Sequence, residues 1–169
     1  MEIFAACLIA FKKDKILSVS RKDNHSDWGL PGGKVDSGEN PYQTIRRELF
    51  EETGLSVKNL KLELVKPSPH KGGYKQCAVF TGDVCGTIKH YEPHVVDWLD
   101  KIYVESGSFG QFNSECFKLI EAFKLLNIDN SMKNYYENGD YNKLLALLEL
   151  RVITNPTIDD YDLFANKFL

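Results

Sequence analysis

The chain has 169 residues, 43% of them apolar and 27% charged, with a formal net charge of −3 and a pI near 5.8. This is the balance of an ordinary globular protein, long enough for one adequate core. It argues against a general nucleic-acid or membrane binder. Cys7, Cys77, Cys85 and Cys116 form no CxxC pair, so free thiols are expected rather than a zinc site. No signal peptide and no apolar run of spanning length is read, so a cytoplasmic location without a membrane partner is expected.

Residues 2–11 are nearly continuously apolar and read as a buried strand. The Lys12 to Lys15 segment reads as a turn, and residues 16–22 alternate as a second strand. Residues 23–33 form a polar loop in which Trp28 is expected to pack as a structural aromatic. A helix follows. Asn40 suits its N-cap, Pro41 its first position and Gln43 the third, where a capping box takes Glu or Gln; Gly54 suits a left-handed C-cap.

Residues 56–68 alternate through Leu60, Leu62 and Leu64 as a strand, and 69–75 form a turn-rich cationic loop. Residues 76–86 read as a strand with a break at Gly82-Asp83, and 87–100 as a loop leading to a short strand. Asn113 is expected to N-cap a helix over 113–126 with Cys116, Phe117, Ile120 and Phe123 on its apolar side. Residues 127–169 read as a separate helical extension. Its leucine-rich run around 143–153 needs cover, from the domain or from a partner chain in a homodimer.

Within the first helix, Glu48, Glu51 and Glu52 fall on one flank and repel one another, by about 0.2–0.5 kcal/mol per exposed pair. Alone they could form a solvated acidic face. The preceding loop adds Gly32, Gly33, Lys34 and Glu39: glycines admit close backbone approach, and clustered carboxylates suit Mg²⁺ or Mn²⁺ together with substrate phosphates.

Gly33, Glu39, Arg47-Glu48-Leu49, Glu51-Glu52 and Gly54-Leu55 stand at the spacing of the Nudix box with no position missing. The chain thus resembles the Nudix hydrolase superfamily, in its MutT-like form, over about residues 1–126. The resemblance implies an α/β fold, an α/β/α sandwich with a mixed sheet. It implies hydrolysis of a nucleoside diphosphate linked to a further group, with Mg²⁺ or Mn²⁺ as cofactor. Glu48 and Glu52 are implied as the strongest metal ligands, with Glu51 close behind and the Gly32 carbonyl assisting. Arg47 would orient Glu48 or Glu51, and Glu39 would be a supporting carboxylate. The general base is left among Glu51, Glu52 and Glu92, the last placed ahead of a tryptophan, Trp98, as in MutT-type members; Asp97 is a weaker competitor.

By the same resemblance, Arg21 or Lys22 would touch phosphate or base, Lys34 the phosphates, and Asn113 a purine edge. These positions favour a small-molecule nucleotide substrate, a nucleoside triphosphate cleaved to monophosphate and pyrophosphate, with oxidised purine nucleotides included. Pro67 and Pro69 keep an ADP-ribose or nucleotide-sugar pyrophosphatase as the main rival. Dinucleoside polyphosphates, capped RNA and a binding module without turnover stand behind it, the last because the box is undamaged. No stable nucleic-acid partner is expected.

Overall fold

The computed structural model describes residues 3–68, 75–89 and 91–126; the expected extension, 127–169, lies outside the described residues. The elements run β1 (Ile3–Ile9), β2 (Phe11–Lys12), β3 (Lys15–Ser20), β4 (Trp28–Gly29), β5 (Gly32–Lys34), α1 (Pro41–Thr53), β6 (Ser56–Pro67), β7 (Gln76–Cys85), β8 (Val96–Leu99), α2 (Lys101–Glu105) and α3 (Gly110–Leu126). The chain divides after Phe117 into two compact units, and the sheets and the site belong to the first.

In that first unit β1 pairs antiparallel with β5 and parallel with β7, while β7 pairs antiparallel with β6, giving a mixed four-stranded sheet. A second, antiparallel sheet is built around β3, which pairs with β2, β4 and β8. Successive side chains of a strand point to opposite faces. Ala6 and Leu8 of β1, with Ala78 and Phe80 of β7, share the main core with Ile45 and Leu49 of α1. Cys7 and Cys77 fall on the other face, beside Phe112 and Asn113 from the start of α3. Helices therefore cover both faces, and the chain is the expected α/β sandwich. Full burial of Ile45 and Leu49 contributes about 1.5–3 kcal/mol each. No described helix is long and apolar enough to cross a membrane.

The ends of α1 form as the sequence dictates. The Asn40 side chain accepts from the Gln43 N–H at 3.0 Å, and the Gln43 side chain accepts from the Asn40 N–H at 2.9 Å. Gly54 closes the helix at φ 72°, its N–H donating to the Phe50 carbonyl. A Cβ on Gly54 would lie 2.7 Å from the Lys89 Cβ. Gly54→Ala is therefore expected to destabilise the protein by more than about 1 kcal/mol, read as a lower Tm.

Three local expectations are corrected. The first two strands are shorter than read: β1 stops at Ile9 and β3 at Ser20, leaving Arg21 and Lys22 in the following loop. Gly82-Asp83 does not break β7, which runs through to Cys85. Glycine serves spacing there, since a Cβ at Gly82 would meet Val57 Cγ2 at 2.5 Å, opposite a register shift in β6 between Lys58 and Lys61. Asn113 is not an N-cap, because α3 begins three residues earlier, at Gly110. The Gly110 N–H bonds back to the Gly107 carbonyl in the turn that starts the helix.

Candidate active site

The core-facing residues of α1, Ile45 and Leu49, fix the rotation of the helix, so its acidic flank is set against the β5 loop. A Cβ on Gly33 would lie 2.2 Å from Glu48 Oε1. Only glycine leaves the space that this carboxylate fills.

Arg47 ties the flank together. Its Nε and Nη2 donate to the two oxygens of Glu39 at 2.9 and 3.0 Å. Its Nη1 donates to Glu48 and to Glu51, both at 3.0 Å, and Nη2 also reaches the Lys34 carbonyl at 3.2 Å. Asp36 adds an ion pair at 3.3 Å. The Arg47 hydrogen bonds hold the Glu39 carboxyl down to about 2. Burial lifts Glu48 above the usual carboxylate range, with Arg47 pulling the other way.

Glu52 lies deeper. Its Oε2 accepts the Gly32 N–H at 2.9 Å, and its side chain is 12% exposed. Burial pushes its carboxyl up to about 8, with the charges of Glu48 and Glu92 adding and the Gly32 N–H opposing. Glu92 approaches from the loop before β8. Lys22 sits 3.0 Å from its Oε2, and His94 Nε2 lies 3.0 Å from the same oxygen. Lys22, with His94 behind it, holds the Glu92 carboxyl below the usual range.

Beside this cluster opens a cavity of about 370 Å³, within the range of small-ligand sites. Gly32, Gly33 and Lys34 form one side of it, Cys7 and Cys77 the sheet side, and Phe109, Phe112 and Asn113 the helical side. Arg21 also lines it, with its guanidinium over the Phe109 ring at 5.6 Å. The Asn113 amide nitrogen donates to the Val104 carbonyl at 2.9 Å, an acceptor-only partner that fixes which way the amide points.

The predicted residues therefore fall into two groups. Glu39, Arg47, Glu48 and Glu51 form one bonded cluster, while Glu52, Gly32, Glu92 and Lys22 stand alongside. Arg21, Lys34 and Asn113 line the cavity with Gly32. Lys22 is turned to Glu92 and does not line the cavity. Gly32 enters the site through its N–H. His94, Phe109, Phe112, Cys7 and Cys77 were not anticipated from sequence. His94 stands two residues after Glu92, a spacing that could have drawn notice; nothing local marks the others.

Among the described residues, no three histidine, cysteine, aspartate or glutamate side chains converge on one ion-sized point. Glu48 and Glu51 are turned to Arg47 instead. The donor set still fits a hard divalent cation: Glu48 is partly buried and Glu52 largely so, and desolvation disfavours the charge of both. An oxygen-seeking ion relieves that cost. Glu48 and Glu52 would hold it, with Glu51 available on release from Arg47.

Fold and site together define an α/β sandwich that sets an acidic helix beside a cavity of about 370 Å³. A family model described as the NUDIX domain matches residues 2–112, and the chain belongs to that family. Among similar curated proteins is an RNA pyrophosphohydrolase of Proteus mirabilis (strain HI4320), 42% identical over 55 residues, spanning 32% of this chain and 31% of that protein. Another is an ADP-ribose pyrophosphatase of Methanocaldococcus jannaschii, 40% identical over 79 residues, spanning 44% of this chain and 47% of that one. The match thus spans less than half the length of these relatives. A MutT structure from a study of the Aliivibrio salmonicida and Vibrio cholerae proteins has a TM-score of 0.56 at 22% identity. It covers 71% of this chain and 97% of its own, a likeness of fold.

Proposed function

We propose that the chain is a divalent-metal-dependent hydrolase of the diphosphate linkage in nucleoside diphosphate derivatives, acting as a nucleoside triphosphate pyrophosphatase. One observation carries this reading. The cavity and the carboxylate cluster share the Gly32–Gly33 backbone: both glycines line the cavity, while Gly32 binds Glu52 and Gly33 abuts Glu48. A ligand seated in the cavity would reach the acidic flank across that strand.

The aromatic rings of Phe109 and Phe112 suit a base, and Asn113 offers it an amide. Arg21 and Lys34 suit the phosphates. When bound, Mg²⁺ or Mn²⁺ would supply charge neutralisation and a more acidic water. Water adds to one phosphorus of the bridge and the bridging P–O bond breaks; the bridging oxygen leaves with the electron pair on pyrophosphate after attack at the α-phosphorus, or on the monophosphate after attack at the β-phosphorus. The proton of the attacking water passes to a carboxylate among Glu51, Glu52 and Glu92. Arg47 and Glu39 keep the flank in register.

The named activity of the Methanocaldococcus relative favours ADP-ribose as the second reading. A panel of dGTP, 8-oxo-dGTP, ADP-ribose, a dinucleoside tetraphosphate and 5′-triphosphorylated RNA, assayed with Mg²⁺, decides between them. The highest kcat/KM is expected for a nucleoside triphosphate, with pyrophosphate as the second product. A preference for ADP-ribose would replace the first reading with the second, and inactivity on every member would leave a binding module.

A further inference from the structure

The loop that carries Glu92 is fastened to the end of β3. The Ser20 N–H donates to the Val95 carbonyl at 2.8 Å, and the Val95 N–H to the Ser20 hydroxyl at 2.9 Å. His94 directly precedes Val95, its side chain 8% exposed. Its Nδ1 lies 2.6 Å from the Ser20 carbonyl. A carbonyl can only accept, so Nδ1 carries the hydrogen and the ring orientation is set.

That bond aims Nε2 at two carboxylates, Glu92 Oε2 at 3.0 Å and Glu52 Oε1 at 3.9 Å; carboxylate oxygens accept, so the bond to Glu92 forms when Nε2 carries a hydrogen as well. Lys22 takes the same Glu92 oxygen. Glu92 Oε1 is left without a protein partner among the described residues. One imidazole thus bonds the loop carboxylate and stands 3.9 Å from the deepest carboxylate of α1, and is itself anchored to backbone.

We propose that His94 is a positioning residue for this site, holding the Glu92 carboxylate in register with Glu52; the proposal rests on the hydrolase reading above. His94 acts through Glu92 and not on substrate. Partners of this kind, one bond removed from the reacting groups, change activity by about 10–100-fold when lost.

The test uses the full chain and four variants. In His94→Asn the amide nitrogen can replace Nδ1 toward Ser20, and the reach to Glu92 is lost. In His94→Gln the longer amide can reach Glu92. With the best substrate of the panel, His94→Asn is expected to lower kcat at least about tenfold with KM little changed, and His94→Gln to recover part of the loss. Glu92→Gln with His94→Asn is expected to be no slower than Glu92→Gln alone, since both remove one coupling. Wild-type kcat in His94→Asn, or additive losses in the double variant, overturns the proposal.

A second measurement does not depend on turnover. In long-range ¹⁵N spectra of the wild type, His94 is expected to show a protonated Nδ1, and its Nε2 resonance to shift in Glu92→Gln. An unmoved Nε2 resonance overturns the proposal even if the protein hydrolyses nothing on the panel. A shifted resonance with no turnover keeps the His94–Glu92 coupling and removes only the hydrolase reading. If His94→Asn fails to fold, the spectra decide alone: an Nε2 resonance that shifts in Glu92→Gln supports the role, and one that does not shift rejects it.

Discussion

Glu52→Gln is expected to lower kcat for Mg²⁺-dependent hydrolysis by about 10²–10³-fold, the usual loss when a group stabilising transition-state charge is removed. Glutamine keeps the shape and the acceptor for the Gly32 N–H, so the fold should survive. Without metal the variant should be the more stable protein near neutrality. The buried Glu52 carboxyl has its folded pKa raised from 4.5 to about 8. An acid raised in this way binds its proton more tightly when folded. Its contribution is complete below 4.5 and is lost as pH rises through about 8. The Tm of the metal-free wild type should therefore fall across that window, by a few kcal/mol in stability at about 1.4 kcal/mol per pKa unit. Glu52→Gln should remove that component of the fall. Added Mg²⁺ should raise the Tm of the wild type and do less for the variant, since only a state that binds the ion gains from it. Wild-type turnover in Glu52→Gln, or equal Mg²⁺ stabilisation of both proteins, would remove Glu52 from the site.

Where a function depended on one local rule, sequence and structure agree. Asn40, Pro41, Gln43 and Gly54 specify both ends of α1 by capping chemistry alone, and the helical period then places Glu48, Glu51 and Glu52 on one flank. Asn113 shows the limit of the same rule. A good N-cap residue need not be the cap when the turn from Gly107 to Gly110 starts the helix earlier, and Asn113 bonds Val104 instead. Gly82 failed for a related reason: sequence cannot tell a glycine that breaks a strand from one that makes room for Val57. The cavity was legible only in part. Arg21, Lys34 and Asn113 entered through resemblance, whereas Cys7, Cys77, Phe109 and Phe112 meet there through β1–β7 pairing and helix docking. Such contacts between residues far apart in sequence have no local signature. His94 lies between these cases, with Glu92 close in sequence but its anchor, Ser20, on another strand.

Arg47→Ala is the second large effect, expected to lower kcat by about 10–100-fold with the carboxylates themselves intact. The guanidinium donates to Glu39, Glu48, Glu51 and the Lys34 carbonyl at once. Its removal leaves Glu48 and Glu51 with mutual repulsion and no common anchor. Arg47→Lys should behave more like Arg47→Ala than like the wild type, because one ammonium cannot reproduce a planar fork shared among three carboxylates. Stability against acid supplies an independent reading. Arg47 holds Glu39 down to about 2 from a usual 4.5. An acid lowered on folding contributes stability above its unfolded value, and that contribution is lost as pH falls from 4.5 toward about 2. In Arg47→Ala this limb of the Tm–pH curve should flatten, because Glu39 then keeps only the weaker lowering from the Thr44 hydroxyl and the Asp36 N–H. The outcome that would sink the assignment is Arg47→Lys with wild-type kcat and an unchanged acid limb. A point charge would then suffice, and the three-pronged geometry would have no part in holding the acidic flank.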